Sequence, residues 1–268
     1  MNELALFAGG GGGILGGKLL GWRTVCAVEL APYARRVLLA RQRDGILPRF
    51  PIWDDIRTFD GKPWRGHIDV ISAGFPCTPF SVAGKREAGD SDKNMWPDTL
   101  RVIREVRPKH LLLENVPNLL AQSHGYMHTI LGGLAESGYD CRWDCVPASA
   151  LGANHQRDRL WIVAHHNSTI LRNESGRGSG QGRQGQDVAS VNGSHEQVAD
   201  ADRSRCEQQR GAFSIPPQLS AAERPGWWEV EPAVGRVADG LAYRVDRLRA
   251  LGNGQVPAVV RFAWRNLI

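Results

Sequence analysis

The sequence predicts an α/β protein: a mixed, mostly parallel sheet with helices on both faces, plus a small irregular region. Three observations predict it. Short apolar runs alternate with segments of helical period along residues 1–165, the pattern of strand–helix–strand units. The first run ends in five consecutive glycines, Gly9 to Gly13, which let a backbone turn tightly and approach a ligand. From Asn167 to Gln209 the chain is rich in Gly, Ser, Gln, Asn and Arg and poor in aliphatics. Such a composition buries too little apolar surface to order itself, so a flexible loop is expected there.

Leu4 to Phe7 is the first strand, and Ile14, Leu15, Leu19 and Leu20 pack the following helix on the sheet. Trp22 to Val28 is a strand and Tyr33 to Gln42 a helix. Asp69 to Phe75 is a strand; Trp96 to Val106 is a helix with Pro108 just past its end. His110 to Val116 is a near-continuous apolar strand, and Tyr126 to Ser137 a helix stopped by Gly138. Tyr139 to Val146 and Arg159 to Ala164 are two more strands, and Gln255 to Leu267 has the spacing of a final helix. The chain thus divides into a main domain, 1–165, an irregular region, 166–240, and a returning C-terminal segment, 241–268.

The 268 residues suit one α/β domain with an insertion. At 42% hydrophobic and 23% charged residues the chain can bury a core. No run approaches 18 apolar residues, so no membrane span is expected, and the N-terminus lacks the pattern of a secretory signal. Five cysteines are too few, and odd in number, for a disulfide framework, which points to a reducing, cytoplasmic compartment. Cys141 and Cys145 lack the second pair that a zinc site needs, so no metal is expected. Of the 33 basic residues 28 are Arg, whose planar fork of donors suits phosphates and base edges. Codon bias is an equal reading of that excess.

Four segments could carry chemistry. Phe7, Ala8 and the glycines follow a strand, and Glu29 ends the next strand, 20 residues after Gly9. That spacing suits an acid accepting hydrogen bonds from ribose hydroxyls, or a plain turn with a surface acid. Gly74-Phe75-Pro76-Cys77-Thr78-Pro79-Phe80-Ser81 sets a thiol between two prolines just beyond a buried strand. A thiolate there is a strong nucleophile, whereas most cysteines are small buried hydrophobes. Glu114 closes the strand HLLL at the same rim, where burial would favour its protonated form; a surface carboxylate is the plainer alternative. Arg157 and Arg159 precede an apolar strand and, in an extended segment, point the same way. They suit a phosphate and a base carbonyl, or a surface ion pair with Asp158. Gly252-Asn253 opens the last helix.

In this order the motifs FAGGGG, Glu29, Asp55-Ile56, GFPCTPFS, ENV, QRDR and GN-x-x-V resemble the S-adenosylmethionine-dependent DNA cytosine C5 methyltransferases. The resemblance covers 1–165 and about 241–268. It implies a Rossmann-like domain interrupted by a target-recognition region at 166–240. By resemblance, Cys77 is the nucleophile, Glu114 the acid on cytosine N3 and the exocyclic amine, Arg159 the contact to O2, and Arg157 its companion near the DNA backbone. Phe7, Ala8, Gly9, Gly11, Gly12, Glu29, Leu30, Asp55, Ile56, Gly74, Pro76, Met95 and Asn253 match cofactor contacts. Ser81, Lys85 and Arg86 match a loop closing over a flipped base, and Arg236 and Arg244 brace the recognition region or hold phosphate. The implied partner is double-stranded DNA, met by a monomer in a bacterial or phage restriction-modification setting. Thr78 and His155 stand where the family usually has Gln.

Three rivals accompany this reading. The same chemistry on transfer RNA is suggested by the short recognition region, although the Cys-Phe-Thr segment typical of that branch is missing. A catalytically weak nucleic-acid-binding relative is suggested by Thr78 and the low-complexity middle. A nicotinamide oxidoreductase rests on the glycines alone.

Overall fold

The structure is a computed structural model that describes residues 1–76, 94–120, 125–167 and 244–268. Seven strands form one sheet: β1 (Asn2–Leu6), β2 (Arg23–Val28), β3 (Ile52–Trp53), β4 (Val70–Ala73), β5 (His110–Asn115), β6 (Tyr139–Pro147) and β7 (Asp158–His166). Their order is β3-β2-β1-β4-β5-β7-β6. The first five run parallel, whereas β7 runs antiparallel to both β5 and β6. The sheet is therefore the Rossmann-like, mostly parallel one that the sequence predicts. β5 lies between β4 and β7 and is apolar almost throughout because both its faces are covered.

On one face, Leu4, Leu6, Ile71, Leu111, Leu113 and Ile162 share a core with α3 (Trp96–Val106) and α4 (Tyr126–Glu136). Trp96, Thr99, Val102, Ile103 and Val106 form the buried stripe of α3, the spacing an amphipathic helix needs. The other face carries α1 (Gly12–Leu19), α2 (Pro32–Arg43) and the last helix. That last helix, α6 (Pro257–Leu267), starts two residues later than the sequence predicts, because Pro257 supplies a preset φ at its first turn. Val259, Val260, Ala263, Trp264 and Leu267 are buried. Each of the larger side chains contributes about 1.5–3 kcal/mol by leaving water. Trp264 meets Trp22 edge-on at 4.7 Å.

Two elements differ from the sequence prediction. β3 is only two residues long, too short for a period to register. Residues 244–253 form a helix, α5 (Arg244–Asn253), a stretch where the sequence predicts no helix and places only Gly252-Asn253 at the opening of the last one. Val245, Leu248 and Leu251 on it are exposed, so its apolar residues announce no core face. Residues 168–243, with most of the irregular region expected at 166–240, lie outside the described residues.

Glu3 is fully buried beneath α1, a burial that the sequence does not signal. Thr24 Oγ1 and Ser72 Oγ each donate to its carboxyl at 2.6 Å. Burial pushes its pKa up to about 7 from 4.5, against the smaller opposing pull of the two hydroxyls. A carboxyl with a raised folded-state pKa gives up its proton first in the unfolded chain. Its contribution to stability is fully present below about pH 4.5 and is lost as pH rises to about 7. Glu3→Gln is expected to abolish that decline, gaining about 3 kcal/mol on wild type between pH 4.5 and pH 8 in urea titrations. Parallel wild-type and variant curves would contradict the assignment.

α1 and α6 approach so closely that a Cβ on Gly16 would collide with Cβ and Cγ1 of Val260. A β-branched carbon next to the backbone cannot swing aside. Gly16→Ala is expected to destabilise the protein by about 1–3 kcal/mol, read as a lowered urea midpoint at unchanged slope.

Candidate active site

The carboxyl ends of β1, β2, β4 and β5 make one rim, the place where open parallel sheets bind ligands. Phe7 leaves β1 with φ 54°, a strained left-handed value for a bulky residue. Gly9 (φ 54°) and Gly11 (φ 90°) complete the turn, and Gly11 caps α1. Glu29 closes the neighbouring strand and accepts Gly9 N–H on Oε2 and Ala31 N–H on Oε1, both at 2.7 Å. Leu30 beside it is 58% exposed, an unusual place for an apolar side chain at the end of a buried strand.

Asp55 and Ile56 open a 3-10 turn next to β3. The Asp55 carboxylate accepts from Arg57 N–H and from the Arg57 guanidinium, which holds its pKa below the usual range. The Ile56 side chain packs in the core, and its carbonyl accepts from Arg101 at 2.6 Å. A cavity lies among Phe7, Ala8, Gly9, Gly74, Asn253 and Gln255.

Gly74, Phe75 and Pro76 follow β4. Asn115 Nδ2 donates to Phe75 O at 3.2 Å, which fixes the chain two residues before Cys77. Asn94 Oδ1 accepts from Trp96 N–H and from the Tyr126 hydroxyl, and half-buried Met95 packs on the core beside it. Cys77, Thr78, Ser81, Lys85, Arg86 and Arg236 lie outside the described residues, and Arg244 is the first residue of α5.

Glu114 and Arg159 do come together. Glu114 stands directly opposite Trp161 in the β5–β7 register, so Arg159 is its diagonal neighbour on the same face. Arg159 Nε lies 3.0 Å from Glu114 Oε1, with the carboxylate side chain 11% exposed. Burial pushes the Glu114 pKa up, while Arg159, Gln255 and Arg157 pull it down. Such a carboxyl holds its proton more tightly than a solvated one yet sits against a cation. It is equipped to hand a proton to a base.

Arg157 does not extend beside Arg159 as the sequence suggests. It precedes β7 with φ 44°, and its guanidinium donates to Gly252 O and Gly254 O. Burial lowers its pKa, as does the nearby Arg159 charge. The turn it holds carries Gln255, whose Nε2 donates to Glu114 Oε2 at 3.3 Å. Sequence reasoning missed Gln255 and Asn115 as site residues. Asn115 lies inside the ENV motif, but an amide in a turn, such as Gln255, carries no periodic signal.

A family model for C-5 cytosine-specific DNA methylases matches residues 1–215. Type II methyltransferase M.NgoMIV of Neisseria gonorrhoeae is 34% identical over 167 residues, covering 62% of this chain and 52% of its own length. M.CviJI of Paramecium bursaria Chlorella virus IL3A is 35% identical over 166 residues, covering 61% and 42%. The chain thus spans about half the length of these curated relatives. Among solved structures, a protein encoded within an Escherichia coli prophage and described as a DNA modification methyltransferase superposes with TM-score 0.53. It is 25% identical, over 63% of this chain and 48% of that one. The fold of a Spodoptera frugiperda DNMT2 mutant is also similar, at TM-score 0.50 and 21% identity over 62% and 50%. With four-fifths of its length matched by the family model, the chain belongs to the C-5 cytosine-specific DNA methylase family.

Proposed function

We propose that this chain methylates C5 of cytosine in double-stranded DNA, using S-adenosylmethionine, as a monomeric enzyme of restriction-modification or phage type. The observation that carries the reading is the partly buried Glu114–Arg159 pair at the rim reached by Gly74-Phe75-Pro76, one residue before Cys77. Residues 1–165 and 241–268 form the catalytic unit in this reading, and 166–240 the recognition region. The relatives named above support the substrate class.

The rim residues fit the cofactor. Glu29 spends two lone pairs on backbone N–H groups and keeps others for ribose hydroxyls. Exposed Leu30 offers an apolar surface to a purine, and Asn253 lines the cavity beside Phe7, Ala8 and Gly9. The Gly11, Gly12 and Gly74 backbones, Ile56, Pro76 and Met95 complete the set that we assign to it. Asp55 fits while keeping its bidentate hold on Arg57. When bound, S-adenosylmethionine supplies an electrophilic sulfonium methyl.

The protein's own residues must make C5 nucleophilic. The Cys77 thiolate adds to C6, and the ring electrons move toward N3, where Glu114 delivers a proton. Arg159 donates to O2 and steadies the charge that builds on the ring. A thiol cannot reach C6 inside a stacked duplex, so the base is turned out, with Ser81, Lys85 and Arg86 closing over it. Arg157 holds the Gly252–Gly254 turn while its remaining donors face the backbone of the DNA. Arg236 and Arg244 take phosphates. After C5 gains its substituent, loss of the C5 proton to a base forms the C5–C6 double bond, the C6–S bond breaks to free the Cys77 thiolate, and the N3 proton returns to Glu114.

Tritiated-methyl transfer to duplex DNA tests this, with transfer RNA as the parallel substrate and bisulfite sequencing for position. Wild type is expected to label duplex DNA at cytosine, Cys77→Ser to lose transfer, and Glu114→Gln to slow it by about 10²–10⁴. Equal labelling by wild type and Cys77→Ser would overturn the mechanism, and labelling of transfer RNA alone would overturn the substrate.

A further inference from the structure

We infer that Gln255 is a positioning residue: it fixes the orientation of the Glu114 carboxyl and ties it to the seating of the C-terminal segment on the glycine turn. The inference deepens the proposed function and rests on it for its kinetic consequence.

Gln255 occupies a gap that exists only because three residues lack side chains. A Cβ on Gly12 would strike the Gln255 carbonyl, and one on Gly13 its Oε1. A Cβ on Gly74 would lie 2.8 Å from both Gln255 Nε2 and Glu114 Oε2. The side chain is thus threaded between the start of α1 and the end of β4, with its amide nitrogen on the acid. Each carboxyl oxygen of Glu114 has its own donor: Arg159 Nε on Oε1 at 3.0 Å and Gln255 Nε2 on Oε2 at 3.3 Å. Two donors on opposite oxygens restrain rotation about the carboxyl axis, which a single ion pair leaves free.

The Gln255 backbone is held as firmly. Arg157, just before the strand that carries Arg159, grips Gly252 and Gly254. The segment 157–159 therefore reaches Glu114 twice, directly through Arg159 and indirectly through Arg157, the turn and Gln255. The Gln255 amide also favours the ionised acid over the protonated one, since a donor stabilises the charged form. Removing it makes Glu114 hold its proton to higher pH.

A Gln that merely filled space would be replaceable by Met, which has similar length and no donor. Gln255→Met and Gln255→Glu separate the two roles. Both variants are expected to lose about tenfold to a hundredfold in kcat at saturating cofactor, the worth of a hydrogen bond to a charged group. The alkaline limb of kcat, on which Glu114 loses its proton, is expected to move to higher pH in Gln255→Met and further in Gln255→Glu. Carboxyl-carbon NMR of protein labelled with ¹³C-glutamate, assigned with Glu114→Gln, reads the Glu114 midpoint without turnover. An upward shift in Gln255→Met supports the inference. An unchanged midpoint, or wild-type kcat and pH profile in that variant, overturns it. Inactive wild type would defeat the functional reading and leave the NMR result to judge Gln255.

Discussion

The architecture depends on how closely the C-terminal segment approaches the start of α1. Gln255 and Val260 occupy space that side chains at residues 12, 13 and 16 would need. Packed interiors do not absorb even a methyl group without displacement. The approach joins segments some 240 residues apart, and Trp22 against Trp264 anchors its far end. Two demands meet in one glycine run. Gly9 and Gly11 supply left-handed turns, whereas the bare Cα positions of Gly12 and Gly13 make room for Gln255.

Fully buried Glu3 and largely buried Glu114 share one face of the sheet, and their surroundings differ. Glu3 meets only neutral hydroxyls from Thr24 and Ser72, which cannot offset the cost of burying a charge. Glu114 meets a guanidinium, an amide and the field of a second guanidinium. Its proton is held by burial and loosened by cations, a balance suited to giving the proton away. Breaking such a pair from one side leaves an uncompensated charge, so the carboxyl and its arginine must be kept together.

Much of this was legible from the residues. Strand and helix order in 1–165 follows from periods that burial imposes locally, as in HLLL for a strand covered on both faces. Glu29 and Glu114 stand out as acids at the ends of apolar runs, although the residues alone left a surface carboxylate open for each. β3 was not legible, since two residues make no period, nor was α5, whose apolar residues lie exposed. Gln255 draws its meaning from residues 12, 13, 74 and 114, a contact between distant segments that no local pattern encodes. Arg157 shows the same limit: i, i+2 spacing implies parallel side chains only in extended backbone, and its left-handed φ turns it aside.

Consider finally the two margins of the sheet. One is β3, two residues long; the other is β6, where Asp140 and Arg142 bear charge along the outer strand. Unpaired peptide groups on a long flat border invite strands from other molecules, and brevity or charge denies them a template. Among the described residues, the molecule thus offers little purchase for the cross-chain ladders that begin aggregation, even though its central strands are as greasy as any fibril-former.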